Sequence, residues 1–147
     1  MIYYFAYGSN LSEEQMKQRC PNHKLLYVAV LKNYRLDFTI YSNKRDCGCA
    51  DIIKDNGKEV WGLVYSLSES DLKSLDKSEG APINYKRIKV HIINKMNKAK
   101  EVHTYEVTEK QPFQAPSNEY LNIIKNAARR YNFPKTYKDF LETINSK

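Results

Sequence analysis

An α+β domain on a curved, barrel-like, mostly antiparallel sheet with about four short helices is the architecture this sequence predicts. Seven short segments rich in Val, Ile, Tyr and Phe follow one another at close intervals, and several alternate apolar with polar residues. Turn-forming residues sit between neighbouring segments. Helical patterns occur only at the start, middle and end of the chain, which suits helices packed on an antiparallel sheet rather than a βαβ array.

The first strand spans 2–6 and breaks at Tyr7-Gly8-Ser9-Asn10. Ser12-Glu13-Glu14-Gln15 then reads as a capping box opening a helix over 13–19, which Pro21 stops. The turn leaves several backbone N–H groups free beside a helix N-terminus, an arrangement able to hold a carboxylate or phosphate. Strands follow at 25–31, 34–41, 49–54 and 59–66. Lys32-Asn33 and Asp55-Asn56-Gly57-Lys58 are expected to be hairpin turns between them. A helix over 69–76 takes Ser68 as N-cap with Asp71 as its partner. In the strand 85–93, Ile88, Val90 and Ile92 share one face and Arg87, Lys89 and His91 the other, the pattern of a half-buried strand. A strand at 101–108 precedes a helix capped by Ser117 and running to Tyr131, with Leu121, Ile124, Ala128 and Tyr131 on one stripe. The last helix is expected over 137–145, capped by Thr136, with Phe140, Leu141 and Ile144 inward.

The 147 residues suit a single domain over 1–147. With 41% hydrophobic and 28% charged residues the composition is that of a folded soluble protein. No apolar run is long enough to span a bilayer and no basic leader precedes one, so the cytoplasm is the expected compartment and no membrane partner is expected. The net charge of +7 comes from cations scattered along the chain without a block of like charge, which reads as a solvated surface rather than a nucleic-acid footprint. Cys20, Cys47 and Cys49 are an odd set and form no standard zinc spacing; no metal or other cofactor is expected, and Cys49 reads as a small core hydrophobe.

Nucleophile chemistry has little support. No G-x-S-x-G elbow, Walker loop, G-x-G-x-x-G or H-E-x-x-H occurs, and His23, His91 and His103 lack triad partners. One carboxylate stands out by position. Glu79 follows the helix 69–76 in an irregular loop marked by Gly80 and Pro82, and loops on a rigid scaffold are where catalytic groups concentrate.

Three motifs in order carry a resemblance: Tyr4-Phe5-Ala6-Tyr7-Gly8-Ser9-Asn10-Leu11, Leu75-Asp76-x-x-Glu79-Gly80 and Pro116-Ser117-x-x-Tyr120. Leu36-Asp37-Phe38, the run from Glu59 to Tyr65, and Tyr85 before an alternating strand add to it. Over nearly its full length, to about residue 140, the chain resembles the gamma-glutamylcyclotransferase family. The resemblance implies cyclisation of a gamma-glutamyl group to 5-oxoproline with release of an amine or amino acid. It implies Glu79 as general acid and base, raised in pKa by a desolvated site. It also implies substrate binding by Tyr7, Gly8, Ser9, Asn10, Tyr85 and Tyr105, with Tyr120 packing on the pocket floor. The expected partner is a small gamma-glutamyl molecule, the expected state a monomer or homodimer. The stretch 41–48 departs from the family pattern, and the leaving group stays open. A non-catalytic small-metabolite binder of the same fold and a basic nucleic-acid-binding module are the alternatives.

Overall fold

The computed structural model describes residues 1–147. Five strands close into a barrel: β1 (Ile2–Ala6), β2 (Lys24–Ser42), β3 (Cys47–Leu67), β4 (Tyr85–Asn94) and β5 (Ala99–Val107), in the spatial order β1-β3-β2-β4-β5. Four of the five pairings are antiparallel; β1 meets β5 in parallel at Tyr4 and His103 and seals the barrel. The barrel-like, mostly antiparallel sheet expected from the sequence is the one observed. Closure removes the exposed strand edges that an open sheet of this kind would leave.

The two expected hairpin turns are not turns. Segments 25–31 and 34–41 lie end to end in β2, and 49–54 and 59–66 lie end to end in β3. Lys32 pairs with Glu59 and Tyr34 with Lys54, so Asn33 and residues 55–58 face one another as irregularities in one long ribbon. Asn33 takes a left-handed backbone at φ 65° and its Oδ1 accepts the Gly57 N–H at 3.1 Å. Asn and Gly supply that geometry in a bulge as readily as in a hairpin, which is why the local signal misled. The true reversal joins Ser42 to Cys47.

Helices α1 (Glu13–Arg19), α2 (Glu69–Ser78) and α3 (Asn118–Arg130) fall where expected. Ser12, Ser68 and Ser117 each accept an N-terminal amide as caps, and Ser68 and Asp71 form a full capping box. The last helix, α4 (Lys135–Glu142), starts two residues early, with Pro134 rather than Thr136 at the N-cap. Leu141 faces inward and Ile144 packs on the core from beyond the helix end, as expected, whereas Phe140 is exposed and Tyr137, one turn before Leu141, takes the inward place. The core runs through the barrel and includes Phe5, Phe38, Ile52, Leu63 and Tyr65, then continues under α3 through Leu121 and Ile124. In β4, Val90 and Ile92 are buried while Arg87, Lys89 and His91 face out. Cys20, Cys47 and Cys49 are free and buried. No helix is long and apolar enough to cross a membrane.

Candidate active site

The chain leaves β1 at Ala6 and enters a short 3₁₀ turn over Ser9–Leu11 that leads into α1. Leu11 N donates to Gly8 O at 3.0 Å and Ser12 N to Ser9 O at 3.1 Å. The amides of Gly8, Ser9 and Asn10 take no part in closing this turn. A Cβ on Gly8 would lie 3.0 Å from the Ala50 Cβ and 3.3 Å from the Tyr120 hydroxyl, so only a residue without one sits there unstrained. The turn is therefore clamped against β3 on one side and α3 on the other.

Glu79 arrives from the opposite direction. Helix α2 ends in a Schellman motif: Gly80 N donates to Lys77 O at 3.1 Å and Ala81 N to Asp76 O at 2.9 Å, with Gly80 at φ 67°. Glu79 is the C-cap, so the end of the helix holds its side chain toward the turn. Its Oε1 accepts the Asn10 Nδ2–H at 3.0 Å and lies 3.7 Å from Arg19 Nη1. The side chain is 15% exposed. Burial pushes its pKa above the ordinary carboxylate range, against the downward pull of Arg19, the Asn10 hydrogen bond and Arg45.

Asn10 is the hub. It is 2% exposed. Its Nδ2 also donates to the Tyr4 hydroxyl at 2.9 Å, and its Oδ1 accepts from Gln15 Nε2 at 2.8 Å and Arg19 Nη1 at 3.1 Å. The Tyr65 hydroxyl donates to its carbonyl at 3.1 Å. With the amide engaged on both ends, Asn10 acts by holding Glu79, and its side chain has no donor left for a ligand.

A cavity of about 790 Å³ opens between the turn, the α2 C-terminus and the β2–β3 hairpin. Tyr7, Gly8, Ser9, Asn10, Glu79, Tyr85 and Tyr105, far apart in sequence, all line it, and so does Tyr120. The tyrosine hydroxyls are directed by the scaffold. Tyr7 donates to Tyr105 O at 2.7 Å, Tyr85 to Ala50 O at 2.7 Å, and Tyr105 to Asp76 Oδ1. The Tyr120 hydroxyl accepts the Ala50 N–H at 3.0 Å. Burial raises all four pKa values, so these walls stay neutral at working pH.

Gln15, Arg19 and Arg45 also line the cavity and were not singled out as site residues from the sequence. Gln15 was expected to close a capping box. Its N–H does donate to Ser12 Oγ at 3.2 Å, but its side chain turns into the site, donating to Ser9 Oγ at 2.9 Å and Asn10 Oδ1. The i, i+4 spacing of Gln15 and Arg19 puts both on one helix face, a signal present in the sequence but without meaning until that face had a neighbour. Cys49, expected in the core, is buried and also lines the cavity; burial pushes its thiol up to about 11, which keeps it protonated.

The barrel thus sets a largely buried carboxylate against a glycine-containing turn at the cavity, and comparison with known proteins names the class. A model of the AIG2-like family matches residues 59–141. The gamma-glutamylcyclotransferase of Bos taurus is 34% identical over 96% of this chain and 77% of its own length. That of Homo sapiens is likewise 34% identical, with the same coverage. A solved structure of a gamma-glutamyl cyclotransferase superposes with a TM-score of 0.93 at 32% identity, over 99% of this chain and 89% of that one. The chain belongs to the gamma-glutamylcyclotransferase family.

Proposed function

We propose that this enzyme closes the gamma-glutamyl group of a small gamma-glutamyl amino acid or amine into 5-oxoproline, with Glu79 moving the protons. Gamma-glutamyl cyclotransferase activity follows from the family to which the chain belongs. The role of Glu79 is supported by one observation above all: a largely buried carboxylate, held 3.0 Å from Asn10 of the turn, faces the cavity.

The chemistry asks little else. The α-nitrogen of the glutamyl group attacks its own side-chain carbonyl carbon. A new C–N bond closes the five-membered lactam and the old amide C–N bond breaks. Glu79 takes a proton from the attacking nitrogen and returns one to the departing nitrogen, so no water is consumed. Because attack is intramolecular, folding the substrate into the reactive conformer supplies much of the acceleration. A carboxylate raised toward working pH suits a group that must both accept and donate. The amides of Gly8, Ser9 and Asn10 are the donors best placed to receive the glutamyl carboxylate or the oxyanion that develops on its carbonyl. Tyr7, Tyr85 and Tyr105 shape the walls. The proposal includes action without a metal or organic cofactor, as a monomer or homodimer, in cytoplasmic metabolism of gamma-glutamyl compounds such as glutathione.

The experiment is direct. The protein is incubated with a panel of gamma-glutamyl amino acids and amines, and 5-oxoproline is measured for wild type and Glu79→Gln. Release by wild type and its collapse in the variant supports the proposal. Equal turnover by the variant removes Glu79 from its role, and no turnover of any panel member favours a binding protein.

A further inference from the structure

The cavity carries a one-sided charge. Among its 24 lining residues are four cations, Arg19, Lys44, Arg45 and Lys77, and a single carboxylate, Glu79. Arg19 is engaged by Glu79 and Asn10 at the floor. Lys44 and Lys77 are exposed. Arg45 differs from all three. It is half-buried at the tip of the β2–β3 hairpin, its Nη2 donates to Gln15 Oε1 at 2.8 Å, and its guanidinium lies 5.1 Å from the centroid of the Tyr120 ring. Both anchors are uncharged and no carboxylate lies within ion-pair distance, so its charge is fixed in position without a direct ion pair.

We infer that Arg45 is a specificity-determining residue that reads a carboxylate on the leaving group, so that gamma-glutamyl amino acids are favoured over gamma-glutamyl amines. The inference rests on the cyclisation reading above. Gln15 joins Arg45 to Asn10, and Asn10 holds Glu79, so a line of side chains runs from the cavity mouth to its proton-transfer floor. Proton transfer requires the scissile amide beside Glu79. The rest of the leaving group then extends toward the hairpin tip, where Arg45 stands. A guanidinium offers two parallel donors matched to a carboxylate, and one already stacked and hydrogen-bonded loses little freedom on binding it.

The test compares gamma-glutamyl-alanine with gamma-glutamyl-ethylamine, which differ only in the leaving-group carboxylate. Wild type, Arg45→Gln and Arg45→Lys are assayed for 5-oxoproline release, and gamma-glutamyl-alanine binding is followed by calorimetry. In wild type kcat/KM favours the alanine substrate. In Arg45→Gln that ratio falls roughly ten- to a hundred-fold, the range set by losing a hydrogen bond to a charged group, and the loss lies in KM. Arg45→Lys restores part of it. Any effect of the substitution on Glu79 or on hairpin packing reaches both substrates and cancels in the ratio. A ratio unchanged in Arg45→Gln overturns the inference, including the case in which Arg45 grips the glutamyl carboxylate and both substrates weaken equally. If neither substrate is turned over, the cyclisation reading fails separately and calorimetry decides Arg45: weaker binding to Arg45→Gln sustains its role, and equal binding overturns it.

Discussion

Asn10 Nδ2 and Glu79 Oε1 stand 3.0 Å apart although 69 residues separate them in the chain. The turn after β1 and the C-terminus of α2 meet because β1 pairs antiparallel with β3, the strand that leads into α2.

Replacement of Glu79 by Gln keeps the shape and the Asn10 contact but removes the carboxylate proposed to accept the proton. kcat is expected to fall roughly 10²- to 10⁴-fold, the usual contribution of positioned acid–base catalysis. Far-UV circular dichroism of the variant should match wild type.

The pH dependence of the same residue has a defined sign. Glu79 has a folded-state pKa raised first by burial. The acid limb of kcat/KM should therefore lie above the ordinary carboxylate value of about 4.3. Because the folded state favours the protonated form, the stabilising contribution of protonation is complete below the unfolded pKa. It is lost as pH rises through the folded one. Wild type should lose stability relative to Glu79→Gln across that window, read from urea midpoints at successive pH values.

Asn10→Ala removes the hydrogen bond that lowers the Glu79 pKa and leaves the Tyr4 hydroxyl and Gln15 amide without their partner. The acid limb should move further up in pH, and stability should fall by about 1–3 kcal/mol, the cost of orphaned buried polar groups. An unmoved acid limb would show that Asn10 does not tune Glu79.

Gly8→Ala places a methyl 3.0 Å from Ala50 Cβ, closer than nearly all real contacts of that kind. The turn must shift by a few tenths of an ångström. A KM rise with a stability loss of about 1–3 kcal/mol is expected, as for other overpacked sites. Steady-state kinetics and a urea titration measure the two separately.

Asp51 supports the cavity from behind. It is fully buried and its carboxylate accepts from Thr39 Oγ1 at 2.7 Å, Lys110 Nζ at 2.8 Å, Ile52 N at 2.8 Å and Val107 N at 2.9 Å. It follows Ala50, whose amide and carbonyl fix the Tyr120 and Tyr85 hydroxyls. Asp51→Ala orphans two buried amides and should destabilise the fold by about 3 kcal/mol or more. A midpoint shift at constant m-value is the readout.

The local elements were legible in the sequence because their causes lie within a few residues: the alternation of β4, the serine caps at 12, 68 and 117, and the turn after β1. The sequence also pointed to Glu79, through an ordered set of motifs rather than through any property of the carboxylate alone. The rest depends on neighbours that are distant in sequence and meet only in the folded chain. The segments on either side of Asn33 join into one strand because the partner ribbon accommodates a bulge there. Gln15 leaves its capping box because Ser9 and Asn10 offer it better partners. Arg45 reaches the cavity because the hairpin folds over Tyr120. Caps and alternation are short-range and survive in a string of letters; a carboxylate held by an amide 69 residues away is a property of the assembled fold.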